Sequence, residues 1–221
     1  TGGSAIVAKT MGQGKPELAK RYFSFLVCAA AVGGAAVGWL GAVFARPIAS
    51  ALGAKGEILE YCVVYARIIL AANPFFILQN VFQSFFVTAE KPKLGLYITV
   101  GAGLTNIVLD ALLVGVLHWG VAGAAIATIL SQAVGGLTPI VYFLRENDSL
   151  LRLIRPRFDG GVLWRTCTNG SSELMSNISG SIVAMLYNFQ LLRLAGEDGV
   201  AAYGAIMYVN FIFLAIFIGY A

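Results

Sequence analysis

Residues 94–117, LGLYITVGAGLTNIVLDALLVGVL, determine the fold class of this chain. The stretch contains a single charged residue, Asp110, and it is long enough to cross the hydrocarbon core of a bilayer as a helix. A strand of a lipid-facing barrel would be about half as long and would alternate apolar and polar residues, a pattern that this stretch lacks. We therefore predict a transmembrane helix here.

The composition extends this prediction to the whole chain. The sequence is 58% hydrophobic and only 12% charged, with a mean hydropathy of +0.80, unlike a soluble domain. Runs of spanning length that hold no charge other than Asp110 lie at residues 22–45, 68–89, 94–117, 119–144, 174–192 and 200–221, the second extending back toward Tyr61 past Arg67. The predicted fold class is all-α: a polytopic membrane protein built as a helical bundle.

The two ends of the chain predict that it is part of a longer protein. A short apolar segment, TGGSAIVA at residues 1–8, has no initiator methionine and ends at Lys9. The other end stops within an apolar run, with no flanking charge or loop. We expect residues 1–8 to be the last turns of a helix.

Lysine and arginine predict the orientation of the helices. Three connections hold 11 of the 15 basic residues: 9–21, 91–93 and 145–165. The opposite connections hold only Arg46, Lys55 and Arg193. Because basic connections stay inside, we expect the first set to be cytoplasmic in a multi-pass protein of the cell's inner (plasma) membrane. The basic residues are too scattered to indicate binding of nucleic acid.

Residues 145–161, RENDSLLRLIRPRFDGG, form the only long polar segment and predict the boundary between two bundles. Within it, residues 150–154, LLRLI, place Arg152 between leucines. Two alternatives follow for this part: an amphipathic turn on the cytoplasmic membrane surface, or a solvated linker.

Asp110 is the leading candidate for a functional residue. A lone carboxylate inside a membrane is costly unless it faces a partner, water or a transported ion. Asn106, Gly103 and Thr99 precede it at helical spacing, so it ends a polar stripe. We predict a role in binding an ion or a proton; the alternative is a structural carboxylate, with Arg67 as a possible partner.

Other polar residues within the spans form further stripes. In the second and fourth spans these are Asn73, Asn80, Gln83, Ser84, Thr128, Ser131, Gln132 and Gly135. We assign Asn80, Gln83 and Gln132 to a candidate substrate cavity, although such residues also join helices at under about 1 kcal/mol each. Small residues at Gly34 and Gly38 predict close helix packing, and Asn73-Pro74 predicts a kink.

Glu173 is the second candidate acid. A polar stripe continues from it through Asn177, which we add to the candidate substrate cavity. The alternative is an ordinary acid near a helix N-terminus, stabilised by the helix dipole.

The residue types argue against an enzyme. Cys28, Cys62 and Cys167 lie at no metal-ligand or redox spacing, and His118 is the only histidine. A glycine-rich phosphate loop is also lacking. We expect no catalytic residues, no cofactor and no metal site beyond a possible sodium ion.

Six segments, taken in order, closely resemble the multidrug and toxic compound extrusion (MATE) family. They are GGSAIVAKTMGQGKPELAKR (2–21), NPFFILQNVFQSFFVTAEKPKLGLY (73–97), TNIVLDALLVG (105–115), GVAGAAIATILSQ (120–132), NGSSELMSNISGSIVAMLYN (169–188) and GEDGVAAYGAIMY (196–208). The combination of NIVLD with GVAGAAIAT is the most specific part. Together the segments reach over essentially the whole chain.

The resemblance implies part of a two-lobe, twelve-helix transporter. Residues 1–144 would be the N-lobe from the end of the family's second helix through its sixth, 145–161 the cytoplasmic loop between lobes, and 162–221 the start of the C-lobe. The family exports small cationic or amphipathic compounds in exchange for protons or sodium, and we expect a monomer in the bilayer. The alternative is a lipid-linked oligosaccharide flippase of the same superfamily plan, which would need a more cationic cavity.

The resemblance also implies two ion sites. The family's N-lobe cation site matches Asn106, Asp110 and Thr128 and, less closely, Tyr65. Its C-lobe acid matches Glu173. The companions of both sites fall on family helices that this sequence does not contain, so the coupling ion and the coupling lobe stay open.

Overall fold

The structure, a computed structural model, describes residues 2–51 and 56–220. It leaves out the side chains of residues 57, 58, 197, 198, 215, 216 and 218–220. Lys55, one of the few basic residues in the second set of connections, lies outside the described residues. In the described ranges the regular secondary structure is entirely helical.

The described elements follow one another as α-helices with one π-helical segment. They are α1 (Gly2–Gly12), α2 (Pro16–Ala51), α3 (Gly56–Ala71), α4 (Asn73–Thr88), α5 (Pro92–Asp110), the π-helical segment (Ala111–Val116), α6 (Gly120–Leu144) and α7 (Gly160–Tyr220). Helix α7 is interrupted at Gly196, whose φ of 66° and ψ of −158° suit glycine. This break falls between the predicted spans 174–192 and 200–221.

Most of the predicted spans are long and apolar enough to cross a membrane. In the described part of the chain, four helical segments are long and apolar enough to do so: Pro16–Ala51, Pro92–Val116, Gly120–Leu144 and Gly160–Gly196. A fifth span forms if Leu59–Ala71 and Asn73–Thr88 are taken together. The sixth prediction falls on Gly199–Leu214, an apolar but shorter helix. The prediction of an all-α, polytopic membrane protein is confirmed.

The bend between α3 and α4 lies where the sequence predicts a kink. The two helices meet at 47°, and Pro74, in the first turn of α4, has no N–H to donate. Asn73 holds the bend against α2, because its Nδ2 donates to the Gly34 carbonyl oxygen at 3.1 Å. A Cβ atom on Gly34 would lie 3.1 Å from Pro74 Cα, so the small residue permits the close approach.

The chain divides into two compact units, Thr1–Asn169 and Gly170–Ala221. The core of the first unit is rich in phenylalanine. Phe23 meets Phe85 and Phe143 edge-on, with ring centroids 4.8 and 5.0 Å apart, and Phe143 stacks on Phe82 at 5.8 Å. These rings lie near the start of α2 and the ends of α4 and α6, so the core forms at the end that carries the basic connections.

The connection after α6 belongs to this core. Leu151 is fully buried within it. Two hydrogen bonds hold the backbone that follows Leu151. Leu153 N–H donates to the Phe143 carbonyl and Ile154 N–H to Ser24 Oγ, both at 2.8 Å. The solvated-linker alternative for residues 150–154 is therefore wrong, whereas the position of the segment at the cytoplasmic membrane surface stays a prediction.

The second unit consists of the remainder of α7 and its break. Tyr187 and Tyr203, on either side of Gly196, stack with ring centroids 5.7 Å apart and planes 3° from parallel. This aromatic pair joins the two helical arms across the break.

Candidate functional site

Asp110 ends α5 at the point where the backbone changes from α- to π-helical geometry. Its side chain is half-buried, and its Oδ1 atom is buried with no hydrogen-bond partner among the described residues. A buried acceptor without a partner carries a desolvation cost, so such groups call for an explanation. π-Helical turns occur frequently at functional sites. An oxygen of this kind can receive a proton or a cation.

The proposed structural partner of Asp110 is engaged elsewhere. Arg67 Nε donates to the Ala42 carbonyl oxygen of α2, with a donor–acceptor distance of 3.4 Å. Within the described residues, Asp110 takes part in no salt bridge. The salt-bridged alternative for this carboxylate is therefore not realised with Arg67.

The register between α5 and α6 follows from one close contact. A Cβ atom on Gly123 would lie 3.2 Å from the Leu113 carbonyl oxygen. The helices are joined by a short connection and run antiparallel. Moving one residue toward the N-terminus of α5 therefore corresponds to moving one residue toward the C-terminus of α6. Counting back from this contact, we infer that Asp110 lies at about the level of residue 126 of α6, and Asn106 at about the level of residue 130.

This register brings the main predicted residues to one level. Thr128 falls between the levels of Asp110 and Asn106, and the three lie within about 6 Å along the helix axes. Both Asn106 and Thr128 are half-buried. Thr128 Oγ1 donates to the Ala124 carbonyl at 2.9 Å, so its lone pairs stay available to a cation.

Gln132 lies one turn further along α6 and supplies a second unsatisfied oxygen. Its Oε1 atom is buried and, like Asp110 Oδ1, finds no partner in the described part of the chain. Helix α4 passes close by, because a Cβ atom on Gly135 would lie 2.6 Å from Gln79 Cδ. The sequence alone does not predict a role for Gln79, because nothing distinguishes it from the other polar residues of its span.

The remaining candidates in the first unit are more exposed. Tyr65, on α3, is 40% exposed. Asn80 and Gln83 are exposed on α4, and Asn80 Nδ2 donates to the Phe76 carbonyl of its own helix at 2.8 Å. Their roles in an ion site or a substrate cavity stay predictions.

Glu173 and Asn177 belong to the second unit. Both are exposed, and Asn177 Nδ2 donates to the Glu173 backbone carbonyl at 2.9 Å. The bond reflects their spacing of one helical turn on α7. Their assignment to a second ion site and a substrate cavity also stays a prediction.

Comparison with known proteins places these features in a family. The family model MatE matches residues 1–112. The chain is 34% identical over 150 residues to "Multidrug export protein MepA" of Staphylococcus haemolyticus, an alignment covering 67% of this chain and 33% of that protein. It is 26% identical over 206 residues to the protein of the same name from Staphylococcus saprophyticus, covering 92% and 45%. The chain thus spans a third to just under half of the length of these relatives.

Solved structures give the same answer. One, described as the "Inward-facing conformation of a multidrug resistance MATE family transporter of the MOP superfamily", matches with a TM-score of 0.86 and 25% identity, over 96% of this chain and 48% of that one. A MOP superfamily transporter from Pyrococcus furiosus, whose "reverse polarity of binding pocket suggests different function", matches at 0.84 and 25%, over 95% and 47%. The sequence, the helical fold and these likenesses agree, and the chain belongs to the MATE family of membrane transporters.

Proposed function

We propose that this chain forms part of a proton- or sodium-coupled antiporter that exports cationic or amphipathic drugs and toxic compounds. The observation that carries the proposal is the buried Asp110 Oδ1 atom, which finds no hydrogen-bond partner among the described residues. The register of α5 and α6 puts it near the level of Asn106 and Thr128. The relatives named multidrug export proteins support the same class of activity. Such a protein needs no catalytic residue and no cofactor, only its coupling ion and its substrate.

The chemistry at Asp110 follows from its surroundings. A charged carboxylate away from water is costly, and either a proton or a bound cation removes that cost. The oxygens of Asn106 and Thr128 are hard ligands of the kind that sodium also accepts. If access to this level alternates between the two sides of the membrane, ion binding on one side favours substrate release there.

The wider organisation is part of the proposal. We assign residues 1–144 to the N-lobe, 145–161 to the inter-lobe loop and 162–221 to the C-lobe of a transporter in the plasma membrane. The basic connections would face the cytoplasm. Tyr65 would complete the N-lobe site, Glu173 would serve in the C-lobe, and Asn80, Gln83, Gln132 and Asn177 would line the path of the substrate.

Efflux from proteoliposomes tests the proposal. The full-length protein is reconstituted, a pH or sodium gradient is imposed, and export of a fluorescent lipophilic cation is followed for wild type, Asp110→Asn and Asp148→Asn. Asp148 is an exposed acid in the connection after α6 and provides the control. We expect Asp110→Asn to fall below about a tenth of the wild-type rate, because the neutral amide binds neither a proton nor a cation strongly. Asp148→Asn should match wild type.

Two results would contradict the proposal. Wild-type rates in Asp110→Asn would make Asp110 a structural residue and turn attention to Glu173. Failure of the wild type to move any cation under either gradient would favour the flippase alternative, which transport of a lipid-linked oligosaccharide then tests.

A further inference from the structure

A cavity lies at the basic end of the first unit. It has a volume of about 570 Å³ and is bordered by the end of α1, the start of α2 and the first turns of α7. Lys9, Lys15 and Arg165 line it from these three places, and the amides of Gln13 and Asn169 are also on its wall. The cavity therefore gathers hydrogen-bond donors from parts of the chain that are far apart in sequence.

The charge of this cavity is not balanced from within. Among the residues that the structure describes, no aspartate or glutamate lines it. Lys9, Lys15 and Arg165 form no salt bridge with any described side chain. The nearest acid in sequence to Lys15, Glu17, is paired instead with Lys20 at 2.8 Å. Three cations that converge without a carboxylate create a strongly positive pocket.

A neighbouring pocket extends the same surface. It has a volume of about 350 Å³ and shares Leu18 and Tyr22 with the first, while Arg21 and Arg157 add further positive charge. Its acid, Asp159, is engaged by α7: Oδ1 accepts N–H groups from Gly161 at 3.0 Å and Val162 at 3.2 Å. The carboxylate thus caps a helix and leaves the neighbouring arginines uncompensated by a salt bridge in the described structure.

We propose that the cavity lined by Lys9, Lys15 and Arg165 binds a phosphate group. Guanidinium and ammonium groups are the usual partners of phosphate oxygens, and the amides add neutral donors. Two sources share this chemistry: the headgroup of an anionic phospholipid and a soluble phosphate. Ile6 and Val162 on the wall, and the apolar span that begins at Pro16, give the glycerol end of a lipid an apolar surface. The inference is independent of the transport proposal.

Lipid binding to the full-length, delipidated protein tests this proposal. Native mass spectrometry in detergent gives the affinity for dioleoylphosphatidylglycerol, with dioleoylphosphatidylcholine as the zwitterionic comparison. The variant Lys9→Gln/Lys15→Gln/Arg165→Gln removes the three cations, and Lys91→Gln/Lys93→Gln/Arg155→Gln removes the same charge outside the cavity. Lys9→Arg/Lys15→Arg/Arg165→Lys keeps the charge and guards against a folding defect. Binding of inorganic phosphate is measured by calorimetry for each protein.

The outcomes separate the sources. We expect phosphatidylglycerol to bind more tightly than phosphatidylcholine, and the cavity variant to weaken that binding at least about tenfold. The two other variants should stay near wild type. If inorganic phosphate alone shows this dependence, the phosphate site stands and its source is soluble. Equal binding of both ligands to wild type and the cavity variant, or equal losses in the outside variant, would overturn the proposal.

Discussion

Single glycines in α2 determine how closely the bent span can pack. A Cβ atom on Gly38 would overlap the Leu70 carbonyl oxygen, and one on Gly34 would press against Pro74. The obstacle at Gly38 is backbone, which has no rotamer with which to move aside. Gly33, by contrast, has open space where its Cβ atom would be. Neighbouring glycines of one helix therefore have different consequences when substituted.

We predict that Gly38→Ala destabilises the protein and that Gly33→Ala does not. Overpacking of a well-packed contact costs about 1–3 kcal/mol, whereas alanine at an open helical position is slightly favourable. Thermal unfolding of the purified full-length protein in detergent, followed by intrinsic fluorescence, measures both. Equal melting temperatures for the two variants would show that α2 does not pack on α3 as described.

At the residue scale, the sequence indicates which residues are unusual but not what they contact. The sequence alone shows that Asp110 is the lone charge in its span and that Gly34 and Gly38 are four residues apart. That Asp110 Oδ1 stays without a described partner depends on how α4 and α6 pack beside α5. Arg67 was a reasonable partner by composition, yet its Nε donates to the Ala42 carbonyl, because α2 is its neighbour.

At the scale of elements, the spans were predictable and two details were not. Long uncharged runs and the Asn73-Pro74 pair are local signals, so the helices and the bend follow from the sequence. The π-helical segment Ala111–Val116 has no local sequence signal, since its apolar residues suit an α-helix equally well. The packing of the connection after α6 has no local signal either, because the burial of Leu151 depends on residues far away in sequence.

We predict that Leu151→Ala lowers stability far more than Leu150→Ala. Leu151 is fully buried, whereas Leu150 is 46% exposed. Truncating a buried leucine costs about 2–5 kcal/mol, since it leaves a cavity as well as losing apolar contact. The two variants are matched in chemistry and adjacent in sequence. Urea unfolding followed by fluorescence compares them, and similar midpoints would mean that the connection is not part of the core.

At the scale of the whole molecule, tight packing and the candidate ion site lie at different heights. The phenylalanine core lies at the basic end of the first unit. Asp110 is 18 residues beyond the start of α5 at Pro92, a distance of about 27 Å along the helix. Because the span continues to Val116, Asp110 is expected within the membrane, in the half of the bilayer opposite the basic connections.

We predict that residue 148 is cytoplasmic and that residue 118 faces outward. The positive-inside rule gives this orientation, and His118 closes the opposite end of the α5–α6 pair. In a full-length variant with Cys28, Cys62 and Cys167 replaced by serine, Asp148→Cys and His118→Cys are treated separately with a membrane-impermeant maleimide on intact cells. Only His118→Cys should react. Labelling of Asp148→Cys alone would reverse the proposed topology.

The buried position of Leu151 also has a consequence for synthesis. The core that holds Val7 and Phe23 is completed by Leu151 and Val162, which leave the ribosome after all the intervening spans. Those spans must therefore enter the bilayer before their shared interior can close. During translation we expect the early helices to stay loosely associated until the segment that carries Leu151 and Val162 has emerged. We therefore expect this unit to become fully packed only when the connection after α6 and the start of α7 have emerged, rather than when α6 has been inserted.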